Sequence, residues 1–248
     1  MRKIEKAVLF SSVLFAIFFC LPVTANAMHI MEGYLPIRDC LIWGAASIPF
    51  LALGVIKLRR TIEEKRSMLI LLAMSGAFIF VISSLKIPSV TGSCSHMTGT
   101  GLAAILFGVA ATSVLGMIVL VFQAILLAHG GLTTLGANTF SMAIAGPIVT
   151  WILYKTGKKL GFGRMKNVFI AAAMGDLFTY CFTSVQLAVA YPSETGGITA
   201  SAVKFLGVFA PTQVPLAIVE GLLTVLIIMG MENYAAQELA EISFLEAK

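Results

Sequence analysis

Three histidines, His29, His96 and His129, are the residues of this 248-residue chain best suited to hold a metal ion, and the first stands directly behind a processing signal. Arg2, Lys3 and Lys6 precede an apolar run from Ala7 to Leu21 and the helix breaker Pro22, and Ala25-Asn26-Ala27 then forms the A-x-A pattern of a signal cleavage site. Cleavage after Ala27 makes Met28 the first residue and frees its α-amine, whose ordinary pKa of about 8 lets a metal displace the proton. That amine and the backbone nitrogen of His29 close a five-membered chelate ring; the same backbone nitrogen and the His29 Nδ1 close a six-membered one. An imidazole from His96 completes a planar four-nitrogen set, which suits Ni(II) or Cu(II), and Co(II) in a constrained site. Hard ions such as Mg(II) want oxygen ligands and are poorly served. An uncleaved signal anchor is the alternative, and it would leave Met28 without its free amine.

The surroundings of these residues are readable in part. Loop 87–100 carries glycines and small hydroxyl residues, Ser95 among them, that let the chain turn tightly and offer hydrogen bonds to a ligating imidazole. Cys94 could add a thiolate, although a small side chain packed in a turn is the expected role. His129, followed by Gly130 and Gly131, is expected to orient the N-terminal segment rather than ligate. Asn138 and Thr139 open a helix; they are expected to cap it, with a bond to the N-terminal segment as the alternative. Asp176 and Glu220 are ionisable residues within apolar spans, readable as a proton relay or as hydrogen-bonded structural carboxyls. Cys20 leaves with the signal, and Cys40, Cys94 and Cys181 are an odd set that implies no disulfide framework.

The elements that must position these groups are membrane helices. The composition is 58% hydrophobic and 12% charged, whereas a soluble globule carries about 25% charge. Apolar runs at 37–57, 68–86, 138–154, 167–190 and 207–231 each approach the roughly 20 residues a helix needs to cross. Between them, 101–128 is long for one helix and short for two. The basic groups Lys57, Arg59, Arg60, Lys65 and Arg66, and Lys155, Lys158, Lys159, Arg164 and Lys166, should share the cytoplasmic face. That requires 101–128 to cross twice, or to form a re-entrant pair of half-helices bent near Ala111-Thr112-Ser113. The expectation is an all-α polytopic bundle of about seven membrane segments, with residues 1–27 a signal peptide and 28–248 one transmembrane metal-binding domain. Its mature N-terminus lies outside and its C-terminus in the cytoplasm, which brings all three histidines to the outer face. The small-residue pairs Ala73/Ala77 and Ala171/Gly175 suit close helix packing, within the bundle or against a partner. Topology accounts for the formal charge of +5 without nucleic acid.

Three stretches carry a resemblance: Met28-His29-Ile30-Met31-Glu32-Gly33-Tyr34-Leu35-Pro36, Pro88-Ser89-Val90-Thr91-Gly92-Ser93-Cys94-Ser95-His96, and His129-Gly130-Gly131-Leu132-Thr133-Thr134-Leu135-Gly136-Ala137-Asn138. Across essentially its whole mature length the chain resembles the CbiM family, the substrate-capture (S) components of cobalt transporters of the energy-coupling factor type. The resemblance implies an S-component-like bundle in a bacterial cell membrane that captures Co(II) through the Met28 amine, the His29 backbone and ring nitrogens, and His96. It further implies a small two-span membrane subunit, a transmembrane coupling subunit and a cytoplasmic ATPase pair as partners, with cobalt supplied to cobalamin biosynthesis. No resident cofactor is expected. The chain has no G-x-x-x-x-G-K-[ST] loop, so any ATP chemistry belongs to other subunits. Met97 stands where proline is expected in close relatives, which bears on loop rigidity and metal choice. Nickel uptake of the same type and a self-contained carrier using Asp176 or Glu220 are the alternatives. An intramembrane metalloenzyme would need a metal-bound water and a general base, and no H-E-x-x-H motif is present.

Overall fold

The computed structural model describes residues 26–27, 29–88, 93–242 and 244, so most of the expected signal peptide, and Met28, lie outside the described residues. The helices are α1 (Ile37–Glu64), α2 (Met68–Ser84), α3 (Thr100–Phe107), α4 (Val109–Leu127), α5 (Leu135–Lys159), α6 (Arg164–Ala190), α7 (Gly197–Tyr234) and the short α8 (Ala236–Glu241). One small sheet joins them, with strands β1 (Asn26–Ala27), β2 (Ile87–Pro88) and β3 (Ser93–Ser95) in the order β1-β3-β2. α1, α4, α5, α6 and α7 are long and apolar enough to cross a membrane, and α2 is a shorter apolar helix of 17 residues. The protein is an all-α polytopic membrane protein. α6 packs most extensively against α7 and α5 and forms the centre of the bundle, while α1 keeps most of its apolar surface outward.

The run 101–128 resolves into a half-helix and a full one. The break is at Gly108, three residues before the expected bend. Its backbone (φ 79, ψ 172) lies in a region that is essentially open only to glycine. The expected bend residues are helical instead: the Thr112 hydroxyl donates to the Gly108 carbonyl, and that of Ser113 to the carbonyls of Ala110 and Phe50. α3, with eight residues, reaches only about 12 Å along its axis, and every one of its residues is buried. Short helical backbone at this depth is tolerated because protein surrounds it on all sides.

Both ends of α3 are met by polar side chains. At its N-terminus Glu220 accepts the Thr98 backbone N–H at 2.6 Å and the Thr98 hydroxyl at 2.9 Å. Asp176 accepts the same Thr98 N–H at 3.2 Å. At the other end the Lys57 Nζ donates to the Phe107 carbonyl at 2.5 Å. The carboxyls at the N-terminus and the Lys57 side chain at the C-terminus satisfy groups the helix cannot pair itself. The intramembrane charges anticipated as a relay or as structural carboxyls are thus the fixings of a half-helix.

α5 carries a wide π-helical turn over Thr139–Ala145, which ends two residues before Pro147. Proline lacks the N–H of a regular turn and crowds the carbonyl four residues back, which the wider turn accommodates. The small pair Ala171/Gly175 is buried, with Gly175 facing Thr150 of α5, whereas Ala73 and Ala77 face outward.

Candidate metal site at the histidine cluster

His29 and His96 are brought together by the register of a short ladder. β1 runs parallel to β3, with Asn26 opposite Ser93 and Ala27 opposite Cys94; continued by two residues, that register sets His29 beside His96. Cleavage after Ala27 would remove β1, but the segment beyond it is held independently. Asn138 accepts the Ile30 N–H at 2.8 Å and donates to the Ile30 carbonyl at 3.0 Å, treating that peptide as a neighbouring strand would. Thr134 donates to the same carbonyl at 2.6 Å. The Glu32 N–H donates to the Gly130 carbonyl, the Gly33 N–H to the Thr133 hydroxyl, and the Thr133 N–H to the Glu32 carboxylate. Ile30 and Leu35 are buried in an apolar cluster with Ala137, Tyr180, Leu187 and Phe209, each contributing roughly 1.5–3 kcal/mol. Gly131 permits the close approach: a Cβ there would lie 2.5 Å from the Glu32 Cα.

His129 arrives from the end of α4. Ala128 leaves that helix in the left-handed region (φ 46), the only described non-glycine residue with positive φ, at a cost of about 1–2 kcal/mol. The His129 N–H returns to the Gln123 carbonyl at 3.1 Å. The three rings then pack against one another, with centroids 4.3 Å apart for His29 and His96, 4.5 Å for His29 and His129, and 5.0 Å for His96 and His129. One ring nitrogen from each residue falls in a group whose members all lie within 4.8 Å of one another. All three histidines are almost wholly buried.

Their protonation suits metal binding. Burial holds the His29 ring well below the ordinary imidazole range, reinforced by His96 and His129. Burial brings His96 down to about 4, against the opposing effect of its bond to the Met97 carbonyl, and His129 down to about 2 with His96 adding to it. Neutral rings are the ligating form. The His96 Nδ1 lies 2.8 Å from the Met97 carbonyl; a carbonyl only accepts, so Nδ1 carries the proton and Nε2 keeps its lone pair. The His96 Nε2, the His129 Nε2 and the His29 Nδ1 are all buried without a hydrogen-bond partner.

Other sequence-anticipated residues take different places. Asn138 clamps Ile30 instead of capping its helix. The Ser95 hydroxyl lies 2.7 Å from that of Thr212 on α7, so it ties β3 to the bundle and not to an imidazole. The side chain of Cys94 lies outside the described ones; Cys40 and Cys181 are free thiols. Gln213 donates to Asp176 at 2.6 Å and to the His96 carbonyl at 3.3 Å, linking the fixings of α3 to the site. Gln213 escaped sequence reading, as did Met142, whose Sδ is 3.0 Å from the His29 Nε2. Met142 is one of 12 methionines, in an apolar run that offers no local signal. His129 was readable as a neighbour of the site, and its ring packs against both others, with centroids 4.5 Å from His29 and 5.0 Å from His96.

A multi-pass helical membrane protein with neutral, unpartnered imidazole nitrogens converging at one end has the donor chemistry of a transition-metal handling protein. A solved crystal structure of a truncated transition metal transporter is similar at a TM-score of 0.73 and 25% identity, over 83% of this chain and 99% of that one. The family described as "Cobalt uptake substrate-specific transmembrane region", CbiM, matches residues 29–238, and the chain belongs to it. A cobalt transport protein CbiM of Lachnoclostridium phytofermentans is 61% identical over 245 residues, covering 99% of this chain and 98% of the relative. A putative cobalt transport protein CbiM 1 of Methanosphaerula palustris is 60% identical over 195 residues, 79% of this chain and 84% of that one. The chain is therefore a membrane component of cobalt uptake, a transporter component and not an enzyme.

Proposed function

We propose that the chain captures Co(II) from outside the cell at the pocket formed by His29, His96 and His129, after cleavage behind Ala27 has made the Met28 amine and the His29 backbone nitrogen available as further donors. The observation that carries this reading is the convergence of one ring nitrogen from each of three buried, neutral histidines, each of which also holds a buried ring nitrogen with no hydrogen-bond partner. The unpaired His29 Nδ1 is also the atom that closes a six-membered chelate ring with its own backbone nitrogen. The basic residues that end α1 and α5 and begin α6 lie at the opposite end of the bundle, which supports an outer site and a cytoplasmic C-terminus. The captured ion is passed to an ATP-driven assembly of the energy-coupling factor type, made of a small two-span subunit, a transmembrane coupling subunit and an ATPase pair, for cobalamin biosynthesis. Asp176 and Glu220 are engaged as fixings of α3, so the self-contained carrier gains no support from them.

The test is metal analysis and N-terminal sequencing of the purified protein, beside a variant with one alanine inserted between Met28 and His29. The expected result is cobalt bound to a chain beginning at Met28, with the insertion removing most of the binding because the adjacent chelate rings are lost. Full retention of cobalt by the insertion variant refutes the N-terminal site, and a purified chain that takes nickel in preference to cobalt refutes the choice of ion. Cobalt uptake that continues after deletion of the ATPase subunits refutes the coupled mechanism.

A further inference from the structure

We propose that the thioether of Met142 fixes the tautomer of His29, holding the proton on Nε2 so that the Nδ1 lone pair is presented to the metal. The inference rests on the cobalt-capture reading and deepens it. In a histidine that chelates through its own backbone nitrogen, only Nδ1 can reach the ion, so the proton must reside on Nε2. In solution the two neutral tautomers interconvert freely; in a buried site the choice is made by whatever faces each nitrogen. Nothing pairs with the His29 Nδ1, whereas the Met142 Sδ lies 3.0 Å from Nε2. A thioether has no hydrogen to donate and accepts weakly, so the contact requires an Nε2–H. The Met97 carbonyl does the same for His96 with the nitrogens exchanged, leaving Nε2 free. Partners of this kind, which aim a ligating imidazole without touching the metal, recur at metal sites generally.

The placement of Met142 follows from α5. Asn138 and Met142 are one turn apart and address consecutive residues, Asn138 the Ile30 peptide and Met142 the His29 ring. Met142 lies within the π-helical turn Thr139–Ala145 and is 1% exposed. Such turns re-aim a side chain that a regular helix would carry elsewhere. One face of α5 thereby sets both the position and the protonation pattern of the chelating residue.

Labelling the processed protein with 15N-histidine and recording its nitrogen spectrum in micelles, stripped of metal, reads the tautomer directly. The expected result is a His29 with Nε2 protonated and Nδ1 bare, lost to a mixture of tautomers in Met142→Leu, which keeps the bulk without the sulfur. Affinity for Co(II) added alone should fall about tenfold in that variant and recover in Met142→Gln, whose amide oxygen restores an acceptor. A wild-type His29 protonated on Nδ1 overturns the inference whatever the variants do, as does a Met142→Leu protein with wild-type spectrum and affinity. His29→Ala separates this from the parent reading: undiminished cobalt binding there refutes capture by His29, while the metal-free tautomer remains an independent observation.

Discussion

The clamp of Asn138 on Ile30 sets how strongly the scaffold holds the segment that carries His29. In Asn138→Ala the Ile30 carbonyl keeps Thr134 at 2.6 Å, but the Ile30 N–H loses its acceptor. Ile30 is 2% exposed, so water cannot replace it without the segment lifting from the bundle. An unsatisfied buried donor costs about 1–3 kcal/mol, and at 1.4 kcal/mol per factor of ten the docked form becomes roughly 5- to 140-fold less favoured. If cobalt binds the docked form, its apparent affinity falls by up to that factor once the docked fraction drops appreciably below one. Two measurements check this: a competition titration with Co(II), and amide hydrogen exchange across residues 29–33. Asn138→Asp, which keeps an acceptor for the Ile30 N–H, should lie between the wild type and Asn138→Ala. Unchanged exchange at Ile30 together with wild-type affinity in Asn138→Ala would refute the clamp.

Three further outcomes follow from the same geometry. Gly108→Ala places a side chain in a backbone region that costs about 1–3 kcal/mol and sets its Cβ 3.3 Å from the Lys57 Nζ that serves the end of α3; a lowered unfolding midpoint in detergent is expected, and an unchanged one contradicts the break assigned there. Glu220→Ala leaves the buried Thr98 hydroxyl without its acceptor and the Thr98 N–H with Asp176 alone and should cost about 1–3 kcal/mol of stability, with Glu220→Gln, which keeps one acceptor oxygen, losing less; equal midpoints for Glu220→Ala and wild type would show that the carboxyl does not cap α3. Hydrogen bonds from Thr133 hold the Glu32 carboxyl below its ordinary range, so its contribution to the strap is fully present above the ordinary glutamate value of about 4.3 and is lost only as pH falls further, through the lowered folded value. Exchange at the Gly33 amide should therefore show no extra opening between pH 5 and 8, after correction for intrinsic rates, beyond what the wild type shares with Glu32→Gln.

How far sequence reached depends on whether a feature is carried by composition or by a single contact. Runs of apolar residues are summed over many positions, so the long spans were legible, as was the expectation that 101–128 is not one continuous helix. The site of the bend was not: Thr112 and Ser113 look like helix breakers, but their hydroxyls are absorbed by nearby backbone carbonyls, including that of Phe50 on α1, and the decisive feature is one glycine with a positive φ. The pairing of His29 with His96 was legible because a processing site and a topology argument converge on it. The role of Asn138 was not settled, because the residue types that cap a helix are those that can clamp a passing strand. Asp176 and Glu220 were visible as charges in apolar spans, but their purpose depends on a helix N-terminus that only the folded chain brings to them.

The cluster also explains why so many separate elements converge on it. Three neutral imidazoles packed together in the protein interior repel one another weakly, and a buried acceptor left unmet costs about 1–3 kcal/mol. Left to itself, such a group would rotate, protonate or take up water. Here each ring is over-determined: His96 by the Met97 carbonyl and the Gln213 bond to its own carbonyl, His29 by Met142 and the clamped Ile30, and His129 by the left-handed turn at Ala128. The half-helix α3, fixed at one end by Asp176 and Glu220 and at the other by Lys57, anchors the loop that carries His96 to the middle of the bundle. The unfavourable convergence is therefore maintained by packing elsewhere, and under the proposed function a divalent cation would relieve all three rings at once.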